Sequence, residues 1–236
     1  MGGKILSDHD LWLKGWMEKK NINVWGVADL SDMVTPTDEL GDGFPRSVSF
    51  ALPMTPTVMA GLVNGPTEAY AEEYIRLNKE IIEISTELEH EIHCRGARAF
   101  VLHPSRRTDP ENIKGDFPQK TSATRAGLGW VGKNCQLITR QYGPWLRLGT
   151  VFTALDLTCA DPITRSFCGD CRNCLDACPS KALKGGSWEA GMPREELLDA
   201  RCCDQWKKTH YKKFSNGHNC GICSAVCPFG QKTLGK

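Results

Sequence analysis

The hydrophobic pattern along the chain switches period repeatedly over the first 155 residues and then gives way to cysteines. Residues 7–20 read as a helix capped by Ser7 or Asp8, with Leu11, Leu13, Trp16 and Met17 on its apolar side. The clearest helix is predicted over 67–94. There Tyr70, Tyr74, Leu77, Ile81, Ile84, Leu88 and Ile92 recur at steps of three and four, and Gly96 stops the run. A shorter helix is expected around 121–127. Strands are expected at 22–27, 47–52, 97–102, 135–139 and 146–152, separated by turn-rich or charged stretches. Helix between strands predicts an α/β layered unit with a mixed sheet. Its boundary is expected between 158 and 164, giving an α/β cofactor and substrate domain over 1–160 and a cysteine-rich domain over 161–236.

Composition narrows the classes. Apolar residues make up 40% and charged residues 24%, and the formal net charge is +1, so no global field draws the chain to nucleic acid or membrane. No apolar run approaches membrane-spanning length, and the start lacks an export signal. Twelve cysteines would suit a secreted disulfide scaffold, but eight of them stand in cofactor spacing, which fits a reducing cytoplasm.

The spacing is informative. Cys168, Cys171, Cys174 and Cys178-Pro179 form C-x2-C-x2-C-x3-C-P, and Cys220, Cys223 and Cys227-Pro228 close the chain. The first run is the ligand spacing of two-cluster bacterial ferredoxins, in which the fourth cysteine serves the other cluster. The prolines lack an N–H and fix φ, turning the chain away from the site. Cys168, Cys171, Cys174 and Cys227 are therefore expected on one [4Fe–4S] cluster, and Cys178, Cys220 and Cys223 on three corners of a second. Cys202 and Cys203 are the cysteines between the motifs that could supply its fourth corner. C-x2-C pairs also bind zinc, but three cysteines inside seven residues crowd a tetrahedral site.

Gly127, Gly129 and Gly132 fall in the stretch Ala126-Gly-Leu-Gly-Trp-Val-Gly-Lys-Asn134. It does not match G-x-G-x-x-G, and on its own suits a tight corner. Taken with Leu148-Gly-Thr-Val-Phe-Thr153 and the cysteine motifs, it resembles the epoxyqueuosine reductase family, whose members are cobalamin-dependent iron–sulfur enzymes related to reductive dehalogenases. The resemblance implies a nitroreductase-like α/β domain followed by a ferredoxin-like double-cluster domain, with cobalamin between them. It places the missing cluster ligand on Cys203 of Leu198-Asp-Ala-Arg-Cys-Cys203. It likens Glu73-Tyr74-Ile-Arg-Leu-Asn78 to the family's tyrosine-bearing helix, making Tyr74 a candidate catalytic residue.

By the same resemblance Gly127, Gly129, Trp130, Gly132, Lys133, Gly149 and Thr150 are expected to line the cobalamin cavity, glycines admitting a flat macrocycle to the backbone. The family's proton-donating Asp precedes the glycine stretch in an Asp-Ser-Ala-Pro segment. Ungapped, that position and the Glu after it fall on Ile113 and Gln119, leaving nearby Asp116 as the candidate donor. Full-length members continue into a helical-repeat extension that grips tRNA, whereas this sequence stops nine residues after Cys227. It therefore resembles a short branch, and a tRNA substrate is not carried over.

The implied function is electron delivery through two clusters to cobalamin, for reductive chemistry on a small or nucleoside-like substrate. A low-potential donor such as a ferredoxin or flavodoxin would supply the electrons. The rival is a stand-alone electron-transfer or activating protein without a substrate of its own. The basic run Lys207-Lys-Thr-His-Tyr-Lys-Lys213 could dock an acidic electron donor or an RNA backbone.

Overall fold

The computed structural model describes residues 6–37, 41–104, 106–214 and 217–235. Helix α1 (Asp8–Lys19) begins on a capping box in which the Ser7 hydroxyl and the Asp10 carboxylate each accept the other residue's N–H. Strands β1 (Val24–Asp29) and β2 (Arg46–Pro53) follow, then a short helix α2 (Pro56–Ala60) that the sequence pattern did not predict. The Thr67 hydroxyl caps α3 (Glu68–Cys94), whose buried stripe is the anticipated one save that Tyr74 is half-buried. Strand β3 (Ala99–Leu102), helix α4 (Gln119–Arg125), the two-residue strands β4 (Trp130–Val131) and β5 (Leu137–Ile138), and strand β6 (Leu146–Thr153) complete this part.

The main sheet runs β1-β2-β6-β3. The α/β layering is as expected, but each of its three ladders is antiparallel, so the parallel pairing of a mixed sheet is absent among the described strands. Period-2 alternation sorts the strands between two helical layers. Val27, Val48, Phe50, Leu52 and Val151 join Leu13 and Met17 of α1 and Leu77 to Ile92 of α3 in one core. Ala28, Ala51, Leu146 and Phe152 face α4 on the other side. The hydroxyls of Ser47 and Ser49 on that second face both bond Ser122 of α4, so the polar positions of β2 are paired although fully buried.

The cysteine-rich part is built from short helices: α5 (Asn173–Ala177), α6 (Ala200–His210), α7 (Ile222–Ala225) and α8 (Pro228–Gln231). It is pinned to the α/β part at several points. Trp145 Nε1 donates to the Ser224 carbonyl at 2.7 Å, and Arg194 donates to the Ile113 carbonyl at 2.9 Å. Ala225 is buried in the same core as α3.

Candidate functional site

The cysteine motifs fold as tight turns followed by single helical turns, which is what brings residues three apart to one side. Cys171 N–H closes a turn on the Cys168 carbonyl, Cys174 lies in α5, and Cys227 caps α8 with Pro228 as its first residue. Cys168, Cys171, Cys174 and Cys227 line one cavity of about 160 Å³, together with Lys133, Asn134, Ile138 and Phe229. Burial and the neighbouring Cys168, Cys227 and Cys171 push the Cys174 thiol up to about 11.

The other four anticipated cysteines form a second set. Burial raises Cys223, with Cys220, Cys203, Cys174 and Cys178 adding to the effect. Burial also raises Cys203 and Cys220, each with Cys178 adding to the shift and Lys207 opposing it. Cys178 differs: burial raises it, but bonds from the Ser180 hydroxyl and the N–H groups of Ala182, Leu183 and Ser180 outweigh that and leave it lowered. Cys202 donates its S–H to the Ser180 carbonyl at 3.2 Å. Because Cys174 acts on Cys223, the two sets are neighbours.

Among the described residues no group of His, Cys, Asp or Glu is placed to hold a metal ion. The donor chemistry of the two sets suits iron–sulfur clusters. The first gathers four thiols around a cavity, and buried thiols that resist ionising alone become thiolates when iron compensates their charge. Orphaned buried donors lie close by. Trp130 Nε1 has no partner among the described residues, and its ring belongs to the cluster of side chains that contains Cys227 and packs Cys168. The Asn219 amide, next to Cys220, is also buried without a partner among the described residues. Such N–H groups are what cluster sulfurs accept.

The structure redistributes the other candidates. Where a Cβ would stand, the glycine stretch is packed by the chain itself. A Cβ on Gly129 would meet the Ile138 carbonyl oxygen, one on Gly132 the Ile138 side chain, and one on Gly149 the Phe50 ring across the β2–β6 ladder. Gly127 has φ +72°, the left-handed turn that glycine tolerates. On that side these glycines allow close packing of the chain. Trp130 is edge-on to Phe167 and Phe229 at 5.2 and 5.0 Å, walling the first cysteine set. Lys133 reaches the Gly169 carbonyl at 2.6 Å, tying that loop to the first motif. Thr150 is buried on the α4 side of the sheet, its hydroxyl unpartnered among the described residues. Asp116 is exposed, just before the buried Phe117, and no bond joins it to either cysteine set among the described contacts.

Tyr74 has the company that sequence reasoning missed. Its hydroxyl accepts from Arg147 at 3.0 Å, and the Arg147 guanidinium lies 4.0 Å from its ring centroid and also bonds Asn78 Oδ1 at 2.9 Å. Tyr70 packs edge-on to Tyr74 at 6.2 Å. Burial raises the Tyr70 phenol, Arg147 opposing this and Tyr74, Cys223 and Cys220 adding to it, so Tyr70 stands between Tyr74 and the second cysteine set. Each set therefore abuts the α/β part at its own place. The signal for Arg147 was a lone cation in the apolar run 146–152.

A larger recess of about 600 Å³ opens beside Trp145, lined by Asn23, Thr55, Pro56, Gln141, Tyr142 and Thr233 among others, with no charged side chain.

Residues 167–230 match the family of 4Fe-4S double cluster binding domains. By sequence the chain is similar to the epoxyqueuosine reductase of Synechocystis sp., 32% identical over 174 residues, covering 70% of this chain and 54% of the relative. It is also similar to that of Pseudomonas aeruginosa, 27% identical over 96% of this chain and 63% of the relative. The chain thus spans between half and two thirds of these relatives' length. Its fold is similar to that of a reductive dehalogenase described as B12-dependent, with TM-score 0.71, 20% identity, and coverage of 97% of this chain and 33% of that one. An epoxyqueuosine reductase from Streptococcus thermophilus gives TM-score 0.58 at 18% identity over 95% of this chain and 67% of that one.

Proposed function

We propose that the chain, similar by sequence to the epoxyqueuosine reductases, is the electron-relay and cofactor-holding part of an iron–sulfur reductase. One [4Fe–4S] cluster is assigned to Cys168, Cys171, Cys174 and Cys227, and the other to Cys178, Cys203, Cys220 and Cys223. The observation that supports this best is the sorting of eight cysteines into two adjacent sets, one of them lining a cavity. Bound clusters supply one-electron steps at low potential. The protein's part is to bury the thiolates, to offer the Trp130 and Asn219 N–H groups to cluster sulfur, and to hold the sets close enough for electrons to pass between them.

Cobalamin is the acceptor implied by the relatives, and its chemistry when bound would be reductive cleavage at cobalt. The glycine stretch leaves it no room on the Cβ side, where the chain's own atoms stand. The recess beside Trp145 suits the edge of a neutral, amide-fringed macrocycle better, since Asn23, Gln141, Thr55 and Thr233 offer amide and hydroxyl partners without charge. Tyr74, held by Arg147, is the proton-handling candidate we favour over Asp116, because it alone is linked through Tyr70 to a cysteine set. The substrate class is small or nucleoside-like, and a low-potential electron donor feeds the clusters. The close packing on the Cβ side of these glycines also favours a second reading, an electron-transfer protein that serves a partner enzyme.

Anaerobic reconstitution with iron and sulfide, followed by cobalamin titration with visible spectroscopy, separates these readings. About eight irons per chain are expected from two cubanes. Stoichiometric zinc without iron sinks both readings, and two clusters without cobalamin binding selects the electron-transfer protein.

A further inference from the structure

An electron relay needs an entrance, and we infer that the outer face of α6 with the turn after it is the docking surface for a small acidic one-electron carrier protein, which reduces the cluster of the second cysteine set. This rests on the relay reading above. Helix α6 carries Cys203 near its start, and Lys207 follows one turn later on the same side. Lys207 Nζ then donates to the His218 carbonyl at 3.1 Å, bracing the segment that leads into Cys220. A Cβ on Gly217 would strike the backbone of Lys208, so that segment lies directly against the helix. The basic face and two of the four ligands are therefore one piece of structure.

Its charge is concentrated. The chain as a whole carries +1, yet four lysines fall between positions 207 and 213. Asp204 is the acid among them, and it is buried and already shared by Arg107 at 2.8 Å, Lys208 at 2.8 Å and Lys207 at 3.8 Å. One carboxylate against three cations leaves the patch positive before Lys212 and Lys213 are counted. Lys208, His210, Lys212 and Lys213 are exposed. The His210 ring stacks on Trp206 at 3.8 Å between centroids, adding a flat aromatic element to the helix.

A positive patch beside a buried redox centre steers a negatively charged carrier into productive orientation. The step is a single electron passing from the reduced carrier to the oxidised cluster, with no proton or group transferred. An RNA backbone is the other polyanion to consider, and affinity for an RNA hairpin is the readout that separates it from a carrier protein.

The test follows reduction of the reconstituted protein by a reduced acidic [2Fe–2S] ferredoxin in stopped flow, using cluster bleaching. The wild-type second-order rate should fall with added salt. In Lys212→Glu/Lys213→Glu the low-salt rate should drop by about tenfold or more, and its salt dependence should flatten. Reduced methyl viologen, a small cation, should reduce this variant no more slowly than wild type. Lys14→Glu/Lys79→Glu makes the same charge change on α1 and α3 and should leave the ferredoxin rate within about twofold, as expected when steering depends on local patch charge. A wild-type ferredoxin rate in the first variant overturns the proposal, as does equal slowing in the second. Unchanged electron uptake with lost affinity for an RNA hairpin would reassign the face to RNA. Failure of the wild type to take up iron is the failure of the relay reading itself, seen before any kinetics, and takes this proposal with it.

Discussion

Adjacent Cys202 and Cys203 show how a single residue decides the second cluster. Both follow the Asp199 cap of α6, but successive helical residues diverge by about 100°. Cys202 points its sulfur at the Ser180 carbonyl, whereas Cys203 shares its surroundings with Cys220 and Cys178. Spacing alone left both open as ligands. Cys203→Ser should therefore lose or degrade one cluster, halving the iron content to about four per chain. Cys202→Ser should keep both clusters and cost about 1 kcal/mol or less, the worth of one weak hydrogen bond. Iron analysis and electron paramagnetic resonance of the two variants check this, and the reverse pattern would exchange their roles.

The glycine stretch and β6 show which elements were legible and which were not. Helices α1 and α3 were readable because their apolar stripes and the caps Ser7 and Thr67 agree. The two-residue β4 and the five-residue α2 were not, since so short a segment carries no period. The antiparallel ladders were hidden because alternation reports which face is buried, not strand direction. Glycines announced close approach correctly, but sequence could not say what approaches: at Gly129 it is the Ile138 carbonyl of β5, not a macrocycle. Gly129→Leu should thus lower thermal stability sharply, by about 3 kcal/mol or more, as overpacking against backbone does. Loss of cobalamin affinity with an unchanged melting temperature would restore that stretch to the cofactor site. Arg147 marks the opposite case, a lone cation whose partners Tyr74 and Asn78 lie on a helix about 70 residues away, at 3.0 and 2.9 Å. Contacts of that range leave no local trace.

At the scale of the whole molecule, the approach to the cysteine-rich part is held by a carboxylate at the far end of the sequence. Asp10 accepts the Thr158 N–H and hydroxyl, both at 2.8 Å, while it also completes the Ser7 capping box. It thereby fastens α1 to the segment that leaves β6 toward the first cluster motif. Burial raises its pKa, but the bonds from Thr158 and Ser7 outweigh this and hold it at about 2. An unfolded Asp titrates near about 4. Because the folded value is the lower one, the clasp contributes fully above about pH 4 and is lost as pH falls toward about 2. Asp10→Asn should therefore melt below wild type at pH 7, by about 5 °C if bonds to a charged acceptor are worth about 2 kcal/mol. The gap should narrow progressively below about pH 4, where the wild-type carboxylate begins to resemble the amide in charge. Far-UV circular dichroism melts of both proteins from pH 7 to pH 3 read the difference, and acid loss of clusters affects both alike. A gap that persists undiminished at pH 3 would mean that Asp10 acts through its packing rather than its charge.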